Sequence, residues 1–295
     1  MTEHDDFLSG ESGHVAGIRA TVKAAARDAL LDARLTLGSS GRAARRAAGP
    51  ARSVTVAGIY GNDASRMTAA VAELRGSRHR STFALGARGT AAPALAEVTL
   101  AEHLAGGKFE NLNAVLAEPV YQGARPPGKR HWSESFDWLV VIDDDVVLPR
   151  AFLDRFIAIC EALGLDLAQP AQTWRSHAGW RVTRRRGGSI ARETGFVEIG
   201  PVTAFRREVA AKLLPFPALR YGWGLDVHWS ALARESGWRL GVVDALPIRH
   251  DAAPVASGYS HEAAVAEARE FLRDKPYVPA REAQRTLAAH SRLPR

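Results

Sequence analysis

One stretch of the chain constrains the fold more than any other: an apolar run that ends in three consecutive carboxylates. Residues 138–142 are all apolar and rich in β-branched side chains, which predicts a strand buried on both faces of an α/β sheet. Asp143, Asp144 and Asp145 follow directly, and neighbouring like charges repel and are costly to desolvate. They must therefore lie at the carboxyl end of the strand, where open α/β sheets bind ligands.

The spacing of the three carboxylates indicates which of them point to the same side of the chain. Because side chains alternate along an extended chain, Asp143 and Asp145 can share one side while Asp144 points away. Two carboxylates on one side suit a hard divalent cation. The structural alternative is an acidic turn that caps a helix beginning near Pro149, with Asp145 as the cap.

Length and composition indicate an ordinary globular chain. It has 295 residues, of which 46% are hydrophobic and 24% charged, so a substantial core is expected. The single cysteine, Cys160, excludes an internal disulfide framework. No apolar run approaches the roughly 20 residues that span a bilayer, and residues 1–10 are acidic, unlike a signal sequence. These features predict a cytoplasmic protein.

The charge balance favours an anionic partner. The net charge is +7, which suits nucleic acid, an anionic membrane surface or the phosphates of a nucleotide. Aromatic residues are not interleaved with the arginines as a base-stacking platform requires, so nucleic acid is not expected. The excess is partly local, in two clusters: Arg42, Arg45, Arg46 and Arg52, and Arg181, Arg184, Arg185, Arg186 and Arg192.

Residues 1–50 are predicted to be a helical extension followed by a basic linker. Residues 15–37 have apolar side chains at helical spacing, the glycines and serines at 38–41 predict the end of that helix, and residues 42–50 are predicted to be a linker. Such a helix could dock on the main domain, or lie against anionic lipid as a peripheral membrane contact.

A βα unit precedes the acidic strand. Residues 53–59 predict a strand, residues 65–74 a helix and residues 81–85 a second strand, which favours a parallel sheet. The turn after the first strand should then lie beside the carboxylates, so its Tyr60, Asn62 and Asp63 are candidates for ligand binding. No G-x-G-x-x-G segment follows this strand, which argues against dinucleotide binding.

The second half of the chain carries two further candidate segments. Residues 183–192 predict a basic, glycine-bearing loop in which Arg184, Arg185 and Arg186 could hold an anionic ligand, or which could be a solvated hairpin. Residues 222–226 open a predicted helix, where Asp226 could simply be an N-terminal cap. The two glycines around Trp223 would let the backbone approach a ligand closely.

In order, these pieces resemble the GT-A fold of nucleotide-sugar glycosyltransferases, most closely the inverting family 2 type, over about residues 53–250. Asp143-Asp144-Asp145 resembles the DxD motif. Lys108 with Leu112-Asn113-Ala114 is similar to the K-x-x-x-L-N-A segment that precedes it. Residues 222–226 resemble the G-W-G-x-E-D motif, although Leu225 replaces the glutamate. His250 matches the family's late histidine, although a lone histidine is more often structural. No Q-x-x-R-W segment of processive synthases is present, which disfavours polymer synthesis.

The resemblance implies a fold and a domain division. The fold class is α/β: a GT-A, Rossmann-like, mostly parallel sheet flanked by helices, with the N-terminal helical extension. Residues 51–255 are the predicted catalytic domain, divided into a nucleotide-sugar half, 51–150, and an acceptor half, 151–255. Residues 256–295 are predicted to be a C-terminal helix and tail.

The resemblance also implies a reaction: metal-dependent, inverting transfer of a hexosyl group from a nucleoside diphosphate sugar to a carbohydrate, lipid-linked or small-molecule acceptor. Asp226 is the candidate base, and Trp223 and Gly224 face the acceptor. Mn²⁺ or Mg²⁺ is the expected cofactor, and an imidazole ligand favours Mn²⁺. The metal ligands would be Asp143, Asp145 and His250; the donor would be bound by Tyr60, Asn62, Asp63, Lys108, Asn113, Asp143, Asp144 and Arg185.

Two other functions remain open at this stage. Nucleotidyl transfer on a related fold also uses paired carboxylates with Mg²⁺, and it would release pyrophosphate. A basic protein that binds polyanions or membrane surfaces without catalysis would bind through the two arginine clusters, with steep salt dependence.

Overall fold

The computed structural model describes residues 5–10, 15–117, 136–250 and 259–294. Its strands are β1 Ser53–Tyr60, β2 Arg80–Ala87, β3 Thr99–Ala101, β4 Trp138–Asp143, β5 Val146–Val147, β6 Leu167–Gln172, β7 Ala191–Thr194, β8 Val202–Arg206, β9 Leu240–His250 and β10 Thr286–His290. Its helices are α1 Ile18–Leu37, α2 Ser39–Arg45, α3 Ser65–Arg75, α4 Lys108–Ala117, α5 Phe152–Ala162, α6 Arg207–Leu213, α7 Leu225–Ser236, α8 His261–Leu272 and α9 Ala280–Ala283.

These ten strands form one sheet in the order β10-β7-β9-β6-β8-β4-β1-β2-β3, with β5 paired to β9. Strands β1, β2, β3 and β4 pair in parallel, as do β6 and β9. Strand β8 runs antiparallel to both β4 and β6, and β7 runs antiparallel to both β9 and β10. Seven strands therefore share one direction, which confirms the predicted mostly parallel α/β sheet.

Strand β4 lies at the centre of the sheet, and its alternating side chains feed two cores. Trp138, Val140 and Ile142 pack in the core that includes α3 and α5. Leu139 and Val141 pack in the core on the other face, with α4, α6 and α7. Helices therefore cover both faces, which explains why this strand is apolar throughout and why its carboxylates lie only at the end.

The N-terminal region differs from its prediction, because residues 39–45 form helix α2 rather than the start of a linker. The helices α1 and α2 meet at a tight corner. A Cβ atom on Gly41 would lie 1.5 Å from the Leu35 carbonyl oxygen. Glycine at this position therefore lets a second helix begin where a break was predicted, and residues 46–52 alone form the connection to β1.

Both ends of the described chain join the main domain. Asp5 pairs with Arg269 of α8 at 2.7 Å, and Phe7 is buried against the apolar cluster that includes Trp180 and Val227. Near the C-terminus, a strand replaces the predicted tail, because β10 pairs with β7 and His290 bonds Glu193 at 2.7 Å. The predicted domain boundary at residue 255 lies outside the described residues.

Candidate functional site

A cavity of about 390 Å³ opens at the carboxyl end of β4, between the sheet, the start of α7 and the N-terminal residues 7–9. Ionisable residues form one part of its wall, and apolar or aromatic residues form the rest. The ionisable ones are Arg88, Lys108, Asp143, Asp145, Glu198, Arg220, Asp226 and His250. The aromatic and apolar ones include Phe7, Leu8, Trp180, Ile199, Tyr221, Trp223 and Tyr259.

Asp143, Asp145 and His250 form a compact cluster at this cavity. One ligand atom from each of the three lies within 4.8 Å of the others. Asp143 ends β4 and His250 ends β9, while β5 pairs with β9 so that Val146 lies opposite His250. This short ladder brings a histidine more than 100 residues away in sequence next to the carboxylates.

The cluster fits a divalent metal ion in both chemistry and dimensions. Two carboxylates and one imidazole are a donor set that Mn²⁺ accepts. His250 Nε2 lies 3.0 Å from Asp145 Oδ1. Adjacent ligands in an octahedral shell with bonds of about 2.1 Å are about 3.0 Å apart, so these two atoms are spaced as neighbouring ligands would be.

Asp145 and His250 also perturb each other's protonation. Burial alone would raise the pKa of Asp145, but the hydrogen bond and charge of His250 outweigh burial and hold that pKa below its ordinary value. Burial would lower the pKa of His250, and its contact with Asp145 raises that pKa instead. The contact with His250 therefore favours the ionised form of the Asp145 carboxylate.

Lys108, the first residue of α4, contacts the cluster. Its Nζ lies 2.6 Å from Asp143 Oδ1 and donates to the Ile199 carbonyl oxygen at 2.8 Å. Gly200 leaves room for this pair, since a Cβ atom there would lie 2.8 Å from Asp143 Oδ2 and 3.0 Å from Lys108 Nζ. Lys108 therefore holds the Asp143 carboxylate at the cavity wall.

Asp144 points away from the cluster and contacts the turn after β1. Its Oδ2 accepts a hydrogen bond of 2.7 Å from the Gly61 amide, and burial raises its pKa. The turn after β1 therefore lies beside the carboxylates, as the β-α-β order predicted. Asp144 fixes the turn, and it does not line the cavity.

The three predicted donor-binding residues of that turn are not among the residues that line the cavity. Tyr60 is buried, and its hydroxyl bonds Thr99 Oγ1 at 2.7 Å. Asn62 is exposed beside Gly89. Asp63 is exposed and accepts from the Ser65 amide at 3.0 Å, where it caps the first turn of α3. In this structure, the contacts of Tyr60 and Asp63 are structural.

Asn113 also has a structural contact. Its Nδ2 donates to the Phe216 carbonyl oxygen at 2.7 Å, and its Oδ1 accepts from the Phe216 amide at 2.9 Å. Both polar atoms of the side chain are therefore occupied by one backbone residue. Asn113 does not line the cavity, and it joins α4 to the segment after α6.

Arg185, which was predicted to bind the donor, does not line the cavity and forms an ion pair with Asp32. Its buried Nη1 pairs with Asp32 Oδ1 at 2.7 Å and lies 3.7 Å from Asp28. Arg184 donates to the carbonyl oxygens of Thr173, Trp174 and Ser176. The reason is that α1 supplies the anionic partners of Arg185, so this arginine stabilises the N-terminal extension, while Arg184 stabilises the loop at residues 173–176.

Asp226 is the second residue of α7 and lines the cavity from the side of the glycine turn. Its Oδ1 accepts from the Val227 amide at 2.9 Å inside the first helical turn, so Asp226 is not the cap; Gly224 is at the N-cap position. Burial nevertheless raises its pKa to about 7, against hydrogen bonds from Val227 and Trp180 that lower it. A carboxyl group poised near neutral pH can accept a proton during a reaction.

The glycine turn places Trp223 at the cavity wall. Gly222 and Gly224 both have positive φ, of 77° and 88°. Glu267 of α8 accepts hydrogen bonds from the amides of Arg220, Tyr221 and Gly222 and so fixes the turn. The indole of Trp223 donates to the Tyr259 hydroxyl at 2.9 Å.

Glu198, a second protonatable carboxyl group at the cavity, was not predicted from the sequence. Gln172 Nε2 donates to Glu198 Oε2 at 2.6 Å, and the backbone amide of Glu198 donates to Gln169 Oε1 at 2.5 Å. Burial raises its pKa to about 8, so it is mostly protonated at neutral pH. Residues 196–205 have the apolar pattern of one continuous strand, but only residues 202–205 of that range belong to a strand, and Glu198 lies in the loop before it.

Other cavity residues were missed as well. Arg88 follows β2 directly, and the parallel order of β1, β2 and β4 would have predicted it at the same sheet edge. Arg220 and the N-terminal residues Phe7 and Leu8 carry no comparable signal. Their positions depend on contacts between parts of the chain that are far apart in sequence.

No protein-family model matches the chain, and no curated protein matches it in sequence. Its fold is similar to solved glycosyltransferases. The mannosyltransferase PcManGT from Pyrobaculum calidifontis, in complex with GDP-Man and Mn²⁺, matches with a TM-score of 0.51 and 16% identity over 89% of this chain and 78% of that chain. GalNAc-T7 with UDP, GalNAc and Mn²⁺ matches with a TM-score of 0.47 and 10% identity, over 90% and 62%. The first likeness confirms the predicted GT-A fold.

Proposed function

We propose that the chain is a metal-dependent, inverting glycosyltransferase that moves a sugar from a nucleoside diphosphate sugar to an acceptor hydroxyl. One observation carries this proposal. The Asp143, Asp145 and His250 cluster and the buried Asp226 line the same cavity, at the sheet edge where this fold binds ligands. The metal cluster would stabilise the departing nucleoside diphosphate, and Asp226 would accept the proton of the acceptor hydroxyl.

Asp143, Asp145 and His250 would hold the metal ion. A bound Mn²⁺ or Mg²⁺ would supply Lewis-acid stabilisation of the charge that develops on the diphosphate leaving group. The PcManGT complex contains Mn²⁺ and GDP-Man, which supports a metal and a nucleotide sugar as the ligands of this fold. The imidazole in the cluster favours Mn²⁺ over Mg²⁺.

The cationic side chains of the wall would offset the remaining charge of the diphosphate. Lys108 lies at the cluster, and Arg88 and Arg220 line the same cavity. Preorganised charges of this kind stabilise a leaving group without rearrangement during the reaction. These three residues would then do what was predicted of Arg185, which does not line the cavity.

Asp226 would act as the general base. Its raised pKa, about 7, leaves it ionised in part at neutral pH and makes the carboxylate a stronger base than an exposed aspartate. Glu198 would remain protonated at the same pH and could donate a hydrogen bond to a sugar hydroxyl. The two carboxyl groups thus divide into one proton acceptor and one hydrogen-bond donor.

The acceptor would bind against the aromatic part of the wall. Trp223, Tyr221 and Tyr259 offer flat apolar faces, and the Trp223 and Tyr259 side chains are linked by a hydrogen bond. Sugar rings stack on such faces with their apolar C–H groups. A carbohydrate or lipid-linked acceptor fits this surface. A contact between α1 and a membrane would involve a different surface of the molecule.

The test is a panel of UDP- and GDP-sugars incubated with the protein and Mn²⁺, with separate assays for nucleoside diphosphate, free sugar and pyrophosphate. We expect one donor to release nucleoside diphosphate and free sugar through transfer to water, and we expect Asp145→Ala to abolish that release. Asp274→Asn, a change at an exposed aspartate that does not line the cavity, should leave it intact.

Two results would contradict the proposal. Full activity of Asp145→Ala in excess chelator would exclude a role for the metal cluster. Release of pyrophosphate from a nucleoside triphosphate, without nucleoside diphosphate from any sugar donor, would indicate a nucleotidyltransferase instead.

A further inference from the structure

Helix α1 has one face fixed to the main domain. Asp28 is buried and accepts from the amides of Trp174 and Arg175 at 2.9 and 3.1 Å. The guanidinium of Arg27 lies 3.4 Å above the Trp174 ring. Leu31 is buried on the same face. These contacts hold the helix in one orientation, so its opposite face is presented to the surroundings in a defined way.

Apolar side chains lie along the whole length of that opposite face, with Arg19 and Thr36 among them. Residues 18, 22, 26, 29, 33 and 37 follow each other at intervals of three or four, which places them on one side of a helix, with Leu30 beside them. All are exposed, and the large ones strongly so: Ile18 by 84%, Val22 by 61%, Leu30 by 53% and Leu37 by 74%. We call this face, Ile18, Val22, Ala26, Ala29, Leu30, Ala33 and Leu37, the outer stripe.

Basic side chains accompany the outer stripe. At about 100° per residue, Lys23 and Arg34 lie within about 40° of its edge at Leu30, and Arg19 lies between Ala26 and Leu30. Neither acidic residue of α1 offsets them. Asp28 is buried, and Asp32 pairs with Arg185 at 2.7 Å. The face therefore combines exposed apolar surface with basic side chains that form no salt bridge to another described residue.

We propose that the outer stripe docks on an anionic lipid surface, with α1 lying in the plane of the interface. An apolar stripe bordered by lysine and arginine is the pattern of such helices. Within the described residues, no helix is long and apolar enough to cross a membrane. A second copy of the chain is a poorer occupant, because it would bring a second set of the same basic side chains to the contact.

The proposal is independent of the proposed function, because α1 contributes no residue to the wall of the cavity. Its test uses the full chain and sedimentation with vesicles of phosphatidylcholine alone or with about 30% phosphatidylglycerol. We expect binding to the anionic vesicles only, weakening as salt is raised.

Three variants assign the contact. Ile18→Ser with Val22→Ser and Leu30→Ser removes exposed apolar surface, and Arg19→Gln with Lys23→Gln and Arg34→Gln removes charge. Each triple variant should lower the partition coefficient at least about tenfold. Leu287→Ser, at an exposed leucine on β10, is the matched control and should bind as the parent does. Circular dichroism and the melting temperature verify that each variant is folded.

Three outcomes would overturn the proposal. The first is no binding of the parent chain to anionic vesicles. The second is equal binding by the folded triple-serine variant and the parent. The third is a parent dimer in sedimentation velocity that the triple-serine change dissociates, since the stripe would then be an interface between copies of the chain.

Discussion

At the scale of single residues, Asp226 is the group whose surroundings constrain the chemistry most. It is buried at the cavity without a cationic partner among the described ion pairs, and burial raises its pKa to about 7. An ionised carboxylate at this position is costly for the fold, and the same cost makes it a useful base. Replacing Asp226 by a neutral side chain should therefore raise the stability of the fold and lower the activity.

The first prediction concerns Asp226→Asn. The pKa of Asp226 is raised in the folded chain above the unfolded value near 3.9, so the stability that its neutral form contributes is present below about pH 4 and lost by about pH 7. The asparagine variant avoids this loss. Its gain in free energy of unfolding over the parent should grow from about pH 4 to 7, to at most about 4 kcal/mol, and then level off.

Urea unfolding of parent and variant at several pH values measures this gain. The activity of the parent should rise with pH through about 7, and Asp226→Asn should be inactive over the whole range. A variant that is active, or one whose stability gain is independent of pH, would exclude Asp226 as a base with a raised pKa.

The second prediction separates Glu198 from Asp226. Because burial raises the pKa of Glu198 to about 8, the group is mostly neutral at pH 7 and glutamine is a fair substitute for it. Glu198→Gln should keep activity within roughly threefold at pH 7, while Glu198→Ala, which removes the polar group, should lose at least tenfold. Steady-state kinetics at pH 7 measure both. If Glu198→Gln is inactive and Asp226→Asn is active, the two roles are reversed.

At the scale of elements, the glycine turn before α7 decides where Trp223 and Asp226 lie. Gly222 has a φ of 77°, and a Cβ atom there would lie 2.4 Å from a carbon of the buried Phe109 ring. Both facts require glycine. The sequence pattern of two glycines around a tryptophan therefore reflects packing against α4 as well as access to a ligand.

The third prediction compares two glycines with similar backbones. Gly222→Ala must bear both left-handed backbone strain and the clash with Phe109, and should lose about 2–5 kcal/mol in the free energy of unfolding. Gly237 at the end of α7 has a φ of 71° with no atom within 4 Å of an added Cβ. Gly237→Ala should therefore lose only the strain, about 1–2 kcal/mol. Equal losses in chemical denaturation would contradict the packing argument.

At the scale of the whole molecule, the sequence predicted a strand or helix well where a local pattern of apolar and polar residues was enough to specify it. The apolar run before Asp143 predicted a strand buried on both faces, and the strand-helix-strand order of residues 53–85 favoured a parallel sheet. Asp143 and Asp145 could be placed on one side because alternation along a strand is a local property. These features fixed the sheet edge at which the cavity lies.

Contacts between distant parts of the chain could not be predicted in this way. The partners of Arg185 are Asp28 and Asp32, some 150 residues earlier, so an arginine that looked available for a diphosphate is part of an internal ion pair. Phe7 enters the cavity wall through contacts with the Trp180 cluster. Glu198 was hidden because its loop lies within an apolar run, and the sequence does not show where a strand gives way to a loop.

The most direct test of the account is whether a nucleoside diphosphate stabilises the protein only through the metal cluster. A thermal-shift screen of UDP, GDP, CDP and ADP, each with Mn²⁺ or with chelator, measures this. At about one hundred times its dissociation constant, the correct ligand should add about 2.7 kcal/mol to the free energy of unfolding. We predict stabilisation by one diphosphate with Mn²⁺, lost with chelator and lost in folded Asp143→Ala and Asp145→Ala. Equal stabilisation with chelator, or in those variants, would contradict the account.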